Sequence, residues 1–372
     1  MTKPAPLAGL KVLELARILA GPWAGQVLAD LGAKVIKVES PAGDDTRTWG
    51  PPFIVNPDGT RDAAYYHSCN RGKSSVVIDF TTPEGQAEVR RLAADSDVLI
   101  ENFKVGGLVK YGLDYASLSA INPRLIYCSI TGFGQDGPYA PRPGYDFIIQ
   151  GMSGMMDLTG DPAGAPQKIG VAMADIATGL YSVIGIQAAL IQRDKTGRGQ
   201  HIDMALLDTM TGVLANQAAN YFASGVTPPR VGNAHLNVSP YAVFPTSDGW
   251  FILAVGNDGQ FQRFCGVVGI EPEERWATNA GRIEHRAPLF AAIEAATRRF
   301  ERDDLLARLE AVGVPVGPIN TVEQALTDPQ VQARGMVVPG ERLDGLRTPI
   351  RFSDADLALG RPAPRLGETR QD

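Results

Sequence analysis

Residues that bind metals or form disulfide bridges are scarce in this sequence. The 372 residues include three cysteines and four histidines, and neither type occurs at the close spacing typical of a zinc site. We therefore predict neither a metal nor a redox cofactor. An odd number of widely separated cysteines also indicates free thiols in a reducing compartment, so we predict a cytoplasmic protein.

An excess of positive charge and long apolar runs are lacking as well. The formal net charge is −6, whereas a nucleic-acid-binding protein would carry a basic excess. No stretch approaches the run of about 18 apolar residues that crosses a membrane, and the N-terminal segment lacks the apolar core of a signal peptide. We predict no nucleic-acid partner and no membrane association.

What the sequence does contain is an alternation of strand and helix patterns. Hydrophobic residues make up 44% and charged residues 20%, which is an ordinary globular composition. A strand, a helix opened by Gly21-Pro22 and a second strand predict a βαβ unit at the N-terminus. The predicted strands of this region are LKVLEL (10–15), AKVIKVE (33–39), SSVVIDF (74–80), DVLIENF (97–103) and LIYCSITGF (125–133).

This alternation predicts an α/β fold with a parallel, Rossmann-like sheet. The turn after the first strand lacks the spacing of the dinucleotide-binding glycines, which argues against a dehydrogenase. Residues 168–222 have a mostly helical pattern, and a smaller α/β region begins with a strand at 250–258. We predict a large domain, 1–225, completed by the tail 330–372, and a small α/β domain with linkers, 226–329.

Two segments outside these patterns have little periodicity. The polar stretch 40–62 is predicted to be a long loop, and such loops are usually functional or mobile. The tail, 330–372, is either disordered or wrapped on another surface. Within the small domain, by contrast, helices are predicted near 259–268, 284–299 and 301–312.

The segment GVAMADIATGLYS (170–182) holds one carboxylate, Asp175, among small and apolar residues. It is the one charged residue between Lys168 and Arg193. It could cap a helix, be a buried structural acid or act as a nucleophile. Spacing alone favours the cap, because aspartate is among the preferred N-cap residues. The roles are compatible, since a helix N-terminus would keep the carboxylate ionised.

Two loops carry groups that suit a nucleotide-type ligand. ENFKVGG (101–107) follows a predicted strand and offers an amide, an aromatic ring and a cation that could embrace an adenine and its phosphates. The glycine- and proline-rich loop 132–147 ends with Tyr145 and Asp146, which could enter a pocket. Taken singly, both stretches are more typical of solvated surface loops.

The order of the motifs and their amino-acid sequences, taken together, indicate a protein family more specifically than any single motif does. They resemble the class III coenzyme A transferase family, which includes formyl-CoA transferases, carnitine CoA-transferases and bile-acid-inducible F-type proteins. The likeness runs from about residue 7 to residue 360 and rests on segments such as NRGKSSVVIDF, DVLIENF, GFGQDGPY, ADIATGLYSVIGIQAAL and KTGRGQHIDMALLD.

This resemblance implies a fold, an assembly and a site. Each subunit would have a large Rossmann-like domain and a small α/β domain, linked into a ring that is interlocked with its partner in a homodimer. Asp175 occupies the aspartate of the family's D-x-x-T/S-G pattern, which implies that it is the nucleophile. The implied contacts with CoA are Ile78, Thr81, Asn102, Phe103, Lys104, Lys110, Gly144, Tyr145 and Asp146.

Within the family, PGYDFIIQGMSGMMDLTG and GVAMADIATGLYS most resemble the succinyl-CoA:dicarboxylate branch, which includes succinate–hydroxymethylglutarate (glutarate) CoA-transferases. Three departures matter. Thr81 replaces the lysine of the common LDLK pattern, which puts one nucleotide contact in doubt. Leu19 stands where formyl-CoA transferases have glutamine, which argues against formyl or oxalyl substrates. AVGNDGQ (254–260) lacks the consecutive glycines of those enzymes' closing loop, so that loop's role is not transferred.

The implied reaction moves CoA from an acyl-CoA donor, with succinyl-CoA expected, to a carboxylic acid through an aspartyl anhydride and an aspartyl-CoA thioester. One alternative is an α-methylacyl-CoA racemase, which needs two acid/base groups. Those racemases have histidine where this chain has Tyr145, and tyrosine is a poor base at neutral pH. Another alternative is a non-catalytic acyl-CoA-binding protein. Candidates for the distal end of a dicarboxylate acceptor are Arg47 and Arg142.

Overall fold

The computed structural model describes residues 3–369, and the chain divides into two compact units. The first unit comprises the residues up to 155, residues 169–215 and the residues from 329 onward; the second comprises 156–168 and 216–328. The predicted domain boundaries differ from these units at 156–168, at 216–225 and at residue 329, and they stay a prediction.

The strands of the described chain are short, and most belong to the first unit. In chain order they are β1 (Lys11–Glu14), β2 (Lys34–Glu39), β3 (Phe53–Val55), β4 (Arg61–Ala63), β5 (Ser74–Val77), β6 (Val98–Glu101), β7 (Ile126–Thr131), β8 (His201–Ala205), β9 (Tyr241–Pro245), β10 (Trp250–Ala254), β11 (Val316–Pro318), β12 (Val337–Val338) and β13 (Gly345–Leu346).

The helices alternate with the strands of the first unit and dominate the second. They are α1 (Ala20–Asp30), α2 (Ala64–His67), α3 (Pro83–Ala94), α4 (Tyr115–Ile121), α5 (Asp146–Met152), α6 (Met155–Leu158), α7 (Met173–Thr196), α8 (Leu206–Gly212), α9 (Ala215–Ser224), α10 (Asp258–Val268), α11 (Asn279–Glu284), α12 (Arg286–Thr297), α13 (Arg302–Ala311), α14 (Val322–Thr327) and α15 (Pro329–Ala333). Short 3₁₀ helices cover Asp45–Thr48, Val109–Tyr111 and Glu274–Trp276.

A six-stranded sheet forms the centre of the first unit. Its strand order is β5-β2-β1-β6-β7-β8, and every neighbouring pair is parallel. This is the doubly wound order of a Rossmann-type sheet, in which the chain changes direction of winding between β1 and β6. The predicted α/β fold with a parallel central sheet is therefore confirmed, and ligands of such sheets bind where the strands end at this switch.

The edge strand β8 corrects the predicted helical pattern of residues 168–222. The sequence HIDMA pairs with β7 from Tyr127↔His201 to Thr131↔Ala205. The approach to this strand is close: a Cβ on Gly199 would lie 2.0 Å from the carbonyl oxygen of Leu125. The sequence pattern does not indicate this strand because only a few of its residues alternate between polar and apolar. A helical pattern also begins directly after it.

The polar stretch 40–62 is an ordered part of the first unit. It contains a 3₁₀ helix and the antiparallel β3–β4 hairpin. The buried guanidinium of Arg47 pairs with Glu39 at 2.7 Å and with Asp62 at 2.8 Å. Buried charges are tolerated when they are paired in this way, and the two pairs fix the stretch to the end of β2.

The C-terminal tail lies on the first unit of its own chain. The N–H and hydroxyl of Thr348 donate to Asp30 at 3.0 and 2.8 Å. Further along, Ser75 N donates to the carbonyl oxygen of Glu368 at 3.0 Å. Up to residue 369 the tail therefore follows the wrapped alternative; residues 370–372 of the predicted tail lie outside the described residues.

The second unit is built on a three-stranded antiparallel sheet in the order β11-β10-β9. Phe244 and Phe251 are fully buried in its core, together with Leu289 and Leu305 from the covering helices. The helices predicted near 259–268, 284–299 and 301–312 correspond to α10, α12 and α13.

Helix α7 is the longest helix of the described chain, and one of its faces packs on α1. A Cβ on Gly179 would lie 2.7 Å from the carbonyl oxygen of Ala20, so the two backbones are in close contact. By length and composition, α7 is the one helix between residues 3 and 369 that could cross a membrane, a property that the search for unbroken apolar runs missed. Its packed face is typical of a core helix.

Candidate active site

A cavity of about 570 Å³ opens at the carboxyl ends of the central strands. It lies where an open α/β sheet normally binds its ligand. Of the ten predicted site residues, eight line this cavity: Thr81, Asn102, Phe103, Lys104, Lys110, Gly144, Tyr145 and Asp175. The structure thus brings together segments that are far apart in sequence, while the predicted contacts with CoA stay predictions.

Ile78 and Asp146 are the two predicted residues that do not line the cavity. The N–H of Ile78 donates to the carbonyl oxygen of Glu39 at 2.9 Å, which extends the pairing of β5 and β2. Asp146 begins α5, and its Oδ1 accepts the N–H of Ala174 at 2.7 Å. Both residues therefore stabilise the structure around the cavity through hydrogen bonds to the backbone.

Aromatic rings and cations form part of the cavity wall. Phe80 meets Phe103 and Tyr111 edge to face, with ring centroids 5.7 and 5.5 Å apart. Sequence reasoning missed Phe80 and Tyr111, although Phe80 ends a quoted strand run. Flat rings next to mobile cations can hold a base and its phosphates. The cations in the wall are Arg17, Lys104, Lys110 and Arg142.

Two predicted contacts have polar groups that are already engaged within the protein. The amide of Asn102 pairs reciprocally with the backbone of Arg17: it accepts the N–H at 2.8 Å and donates to the carbonyl at 2.7 Å. The N–H and hydroxyl of Thr81 both donate to Asp79, at 3.0 and 2.6 Å. Asn102 thus fixes the loop after β1, and Thr81 closes a turn.

The loop after β1 contains a strained residue, Ile18, with a φ of 71°. A β-branched residue rarely adopts this left-handed conformation. Its N–H faces the Asp44 carboxylate at 3.3 Å, and Asp44 pairs with the fully buried Lys37 at 2.9 Å. Strain of this kind is kept when surrounding contacts impose it, and it clusters at functional sites. Here it shapes the cavity wall next to Leu19.

Asp175 is the third residue of α7, so the prediction that it is the N-cap is wrong. The N-cap position is Ala172, which has no side-chain cap. Asp175 is mostly buried, and burial raises its pKa to about 7, with the negative charge of Asp146 acting in the same direction. The expectation that the helix start keeps this carboxylate fully ionised is therefore also wrong. In the described chain no hydrogen bond contributes to holding the charged form.

The two candidate arginines have different surroundings. Arg47 is buried in ion pairs with Glu39 and Asp62 and donates to the hydroxyl of Tyr66 at 2.6 Å. It does not line the cavity, so its prediction as an acceptor-binding residue is wrong. Arg142 lines the same cavity as Asp175.

Two glycines let the two ends of the loop 132–147 approach each other closely. A Cβ on Gly144 would lie 2.4 Å from the Cα of Gly132, and the reverse contact is 2.5 Å. Only a pair of residues without side chains permits this approach. It explains why Gly144 and Tyr145 reach the cavity. Among residues 3–369 no group of three metal-binding side chains occurs, and the predicted lack of a metal stays a prediction.

The raised pKa of Asp175 makes stability depend on pH. The folded chain keeps the Asp175 proton up to about pH 7, whereas an unfolded aspartate loses it near pH 4. Between these values the unfolded state binds fewer protons, so the free energy of unfolding falls as pH rises, by at most about 1.4 kcal/mol per pH unit. We expect Asp175→Asn to lose this slope, measured by urea unfolding between pH 5 and 8 without ligand.

The control for that measurement is Asp136→Asn, because Asp136 is exposed on the neighbouring loop. It should keep the slope of the parent chain. Equal slopes in the parent and in Asp175→Asn, at one protein concentration, would contradict the raised pKa.

Comparison with known proteins identifies the family. The model of CoA-transferase family III matches residues 7–370. A succinate–glutarate CoA-transferase of Agrobacterium fabrum is 59% identical over 98% of this chain and 93% of its own. A human succinyl-CoA:glutarate CoA-transferase is 42% identical over 99% of this chain and 85% of its own.

A solved structure gives the same result for the fold. A CaiB/BaiF family protein from Brucella suis is 64% identical, with a TM-score of 0.91, over 98% of this chain and 97% of its own. These matches confirm the resemblance inferred from the motifs. The chain belongs to CoA-transferase family III and is an enzyme of that family.

Proposed function

We propose that this enzyme transfers CoA between carboxylic acids through covalent intermediates on Asp175. The observation that carries the proposal is a poorly solvated carboxylate, with a pKa raised to about 7 by burial, in the wall of a cavity that also holds cations and aromatic rings. Such a group is largely ionised just above neutral pH and carries little water to shed before it attacks.

The proposed sequence has two halves. Asp175 attacks the thioester carbonyl of the acyl-CoA donor; the C–S bond breaks, CoA thiolate leaves and an acyl-aspartyl anhydride forms. The thiolate then attacks the aspartyl carbonyl, which releases the donor acid and leaves an aspartyl-CoA thioester. The acceptor carboxylate attacks this thioester, and the same steps in reverse yield acceptor-CoA and free Asp175. Splitting the exchange into covalent steps lowers each barrier.

The cavity supplies places for both ends of the substrates. Lys104 and Lys110 suit the phosphates of CoA, and the rings of Phe80, Phe103 and Tyr111 suit its adenine. The names of the similar enzymes contain succinate and glutarate, which supports a dicarboxylate acceptor and succinyl-CoA as donor. Arg142 is our candidate for the distal carboxylate, since guanidinium groups bind carboxylates through paired hydrogen bonds.

The two alternative functions find less support. A racemase needs a second acid/base group beside the α-carbon, and histidine is not among the described residues that line the cavity. A binding-only protein would have no use for a poorly solvated carboxylate in its site.

We also propose the homodimer, with interlocked rings, and the cytoplasmic location. Helices α5 and α7 expose apolar side chains on neighbouring surfaces of the first unit, and a patch of this kind on a folded chain marks a protein interface. A second copy is its proposed occupant. The exposed members are Phe147, Ile148, Met152, Leu180, Tyr181, Ile184 and Ile191. All three cysteines are free and buried, which supports a reducing compartment.

Asp175→Ala removes the proposed nucleophile. We expect the exchange of labelled succinate into succinyl-CoA to fall at least about a thousandfold, while the Kd for CoA, measured by calorimetry, stays close to that of the parent. Asp208→Ala, an exposed substitution on α8, should leave both unchanged. Exchange that survives in Asp175→Ala sinks the assignment.

Two assays on the parent chain separate the alternative functions. Deuterium entering the α-position of a 2-methylacyl-CoA, with no acceptor acid present, would indicate a racemase. Absence of exchange with a panel of carboxylic acids, despite CoA binding, would indicate a binding-only protein.

Arg142→Gln tests the acceptor site. If Arg142 binds the distal carboxylate, kcat/KM for glutarate should fall by about tenfold to a hundredfold, the cost of a lost charge-assisted hydrogen bond. The value for butyrate, which lacks that group, should change little. Arg124→Gln, on an exposed turn, is the control. Equal losses for both acids, or no loss for either, would rule out this role.

The double substitution Leu180→Glu/Ile184→Glu tests the dimer. These residues lie one helical turn apart and are 44% and 59% exposed, so two buried charges in an interface should shift the parent dimer toward monomer. Light scattering across a concentration series measures the shift. Val322→Glu, exposed on α14, should stay dimeric. A parent chain that is monomeric at micromolar concentration would overturn the proposal.

A further inference from the structure

The chain reaches Asp175 through a segment with no regular secondary structure. Residues 165–172, between α6 and α7, form neither helix nor strand. An irregular approach would leave the first turn of α7 free to shift unless other groups fixed it, because backbone N–H groups at a helix start have no partner within the helix. The position of the nucleophile therefore depends on what holds this segment.

Gln150 holds the segment from one side. It lies on α5 and is fully buried. Its Oε1 accepts the N–H of Ile169 at 2.9 Å, and its Nε2 faces the carbonyl oxygen of Val171 at 3.4 Å. A buried amide that bonds to the backbone of another segment fixes that segment, since breaking the bonds would leave buried polar groups without partners.

Asp146 completes the arrangement one turn earlier on α5. Its Oδ2 accepts Nε2 of Gln150 at 2.8 Å, and its Oδ1 accepts the N–H of Ala174 at 2.7 Å. The second bond is the one that an N-cap side chain normally makes, and the N-cap residue Ala172 cannot make it. Asp146 thus caps α7 from another helix. The N–H that it accepts belongs to Ala174, the residue directly before Asp175 in the chain.

We infer that Asp146 is a positioning residue for the nucleophile: with Gln150 it clamps residues 169–174 and so fixes where Asp175 stands in the cavity. This inference rests on the proposed role of Asp175, and it replaces the CoA contact that the family resemblance implied for Asp146. It agrees with the placement of Asp146 outside the cavity wall.

The clamp also places a second negative charge near the nucleophile. Burial and the charge of Asp146 together raise the pKa of Asp175. Tyr65 of α2 faces the same two carboxylates, and burial followed by their charges raises its pKa to about 12. The cations Arg17, Lys104, Lys110 and Arg142 line the same cavity as Asp175, but Asp146 is the one charged group in the described chain that shifts its pKa.

Three substitutions separate the two functions of the clamp. Asp146→Ala removes the cap and the charge, and should lower kcat by about tenfold to a hundredfold through misplacement, with KM for succinyl-CoA nearly unchanged. Asp146→Asn keeps an acceptor for Ala174 but loses both the charge and the bond from Nε2 of Gln150. Gln150→Ala loses the same bond, so a move of the acid limb of the kcat profile to lower pH in Asp146→Asn alone reports the charge. Gln150→Ala should lower kcat with an unmoved limb. Asp136→Asn is the control.

Two results would overturn the inference. One is a rise in KM for succinyl-CoA with kcat unchanged in Asp146→Ala, which is the signature of a direct CoA contact. The other is an unmoved acid limb in Asp146→Asn. Circular dichroism and thermal unfolding identify variants that fail to fold, for which Asp146→Asn serves as the conservative alternative.

A measurement without turnover keeps this test independent of the nucleophile assignment. The infrared carboxyl band that is lost in Asp175→Asn reports the protonation of Asp175 in the resting enzyme. Its midpoint should move to lower pH in Asp146→Asn. If Asp175→Ala retained transfer, the proposed mechanism would fall, but this shift would still show whether Asp146 acts on Asp175.

Discussion

The site depends on the position of one carboxylate, that of Asp175, which is largely buried in the first turn of a long helix. Burial raises the pKa of Asp175 to about 7, which has an energetic cost for the ionised form that the rest of the fold must offset. Helix α7 itself is fixed by close backbone contact with α1 at Gly179. The first turn of α7 is held by Asp146. Among the described residues no hydrogen bond holds the charged form of Asp175, which leaves its carboxylate available for the proposed chemistry.

The surrounding scaffold is fixed by buried polar contacts. Lys37 and Asp44 impose the strained conformation of Ile18 in the cavity wall. The amide of Asn102 ties the same loop to the end of β6. Such networks are costly when incomplete, and here they hold the carboxyl ends of neighbouring strands in one arrangement. A cavity wall held in one arrangement by such contacts has less freedom to lose on binding, which reduces the ordering cost.

The parallel sheet could be predicted from apolar runs, and the family from the wording of its motifs. Strand β8 escaped prediction because its alternation is short and directly continues into α8. The cap of α7 could not be found from local spacing, since the accepting carboxylate lies 28 residues earlier in the chain. An arginine such as Arg47 is a residue type that often binds ligands. Its guanidinium instead pairs with Asp62, on a hairpin that the sequence does not indicate. Long-range contacts explain the last two of these differences, and a short local pattern explains the first.

In the proposed route the carboxylate of Asp175 forms a mixed anhydride with the donor acid and then with the acceptor acid. In that route an oxygen atom of the acceptor carboxylate becomes part of the Asp175 side chain when CoA thiolate attacks the acceptor carbonyl. Repeated turnover with an acceptor carrying ¹⁸O in its carboxylate, followed by digestion and mass spectrometry, tests this directly. We expect ¹⁸O in the peptide that contains Asp175 and in no other. Complete turnover with an unlabelled Asp175 peptide would contradict it.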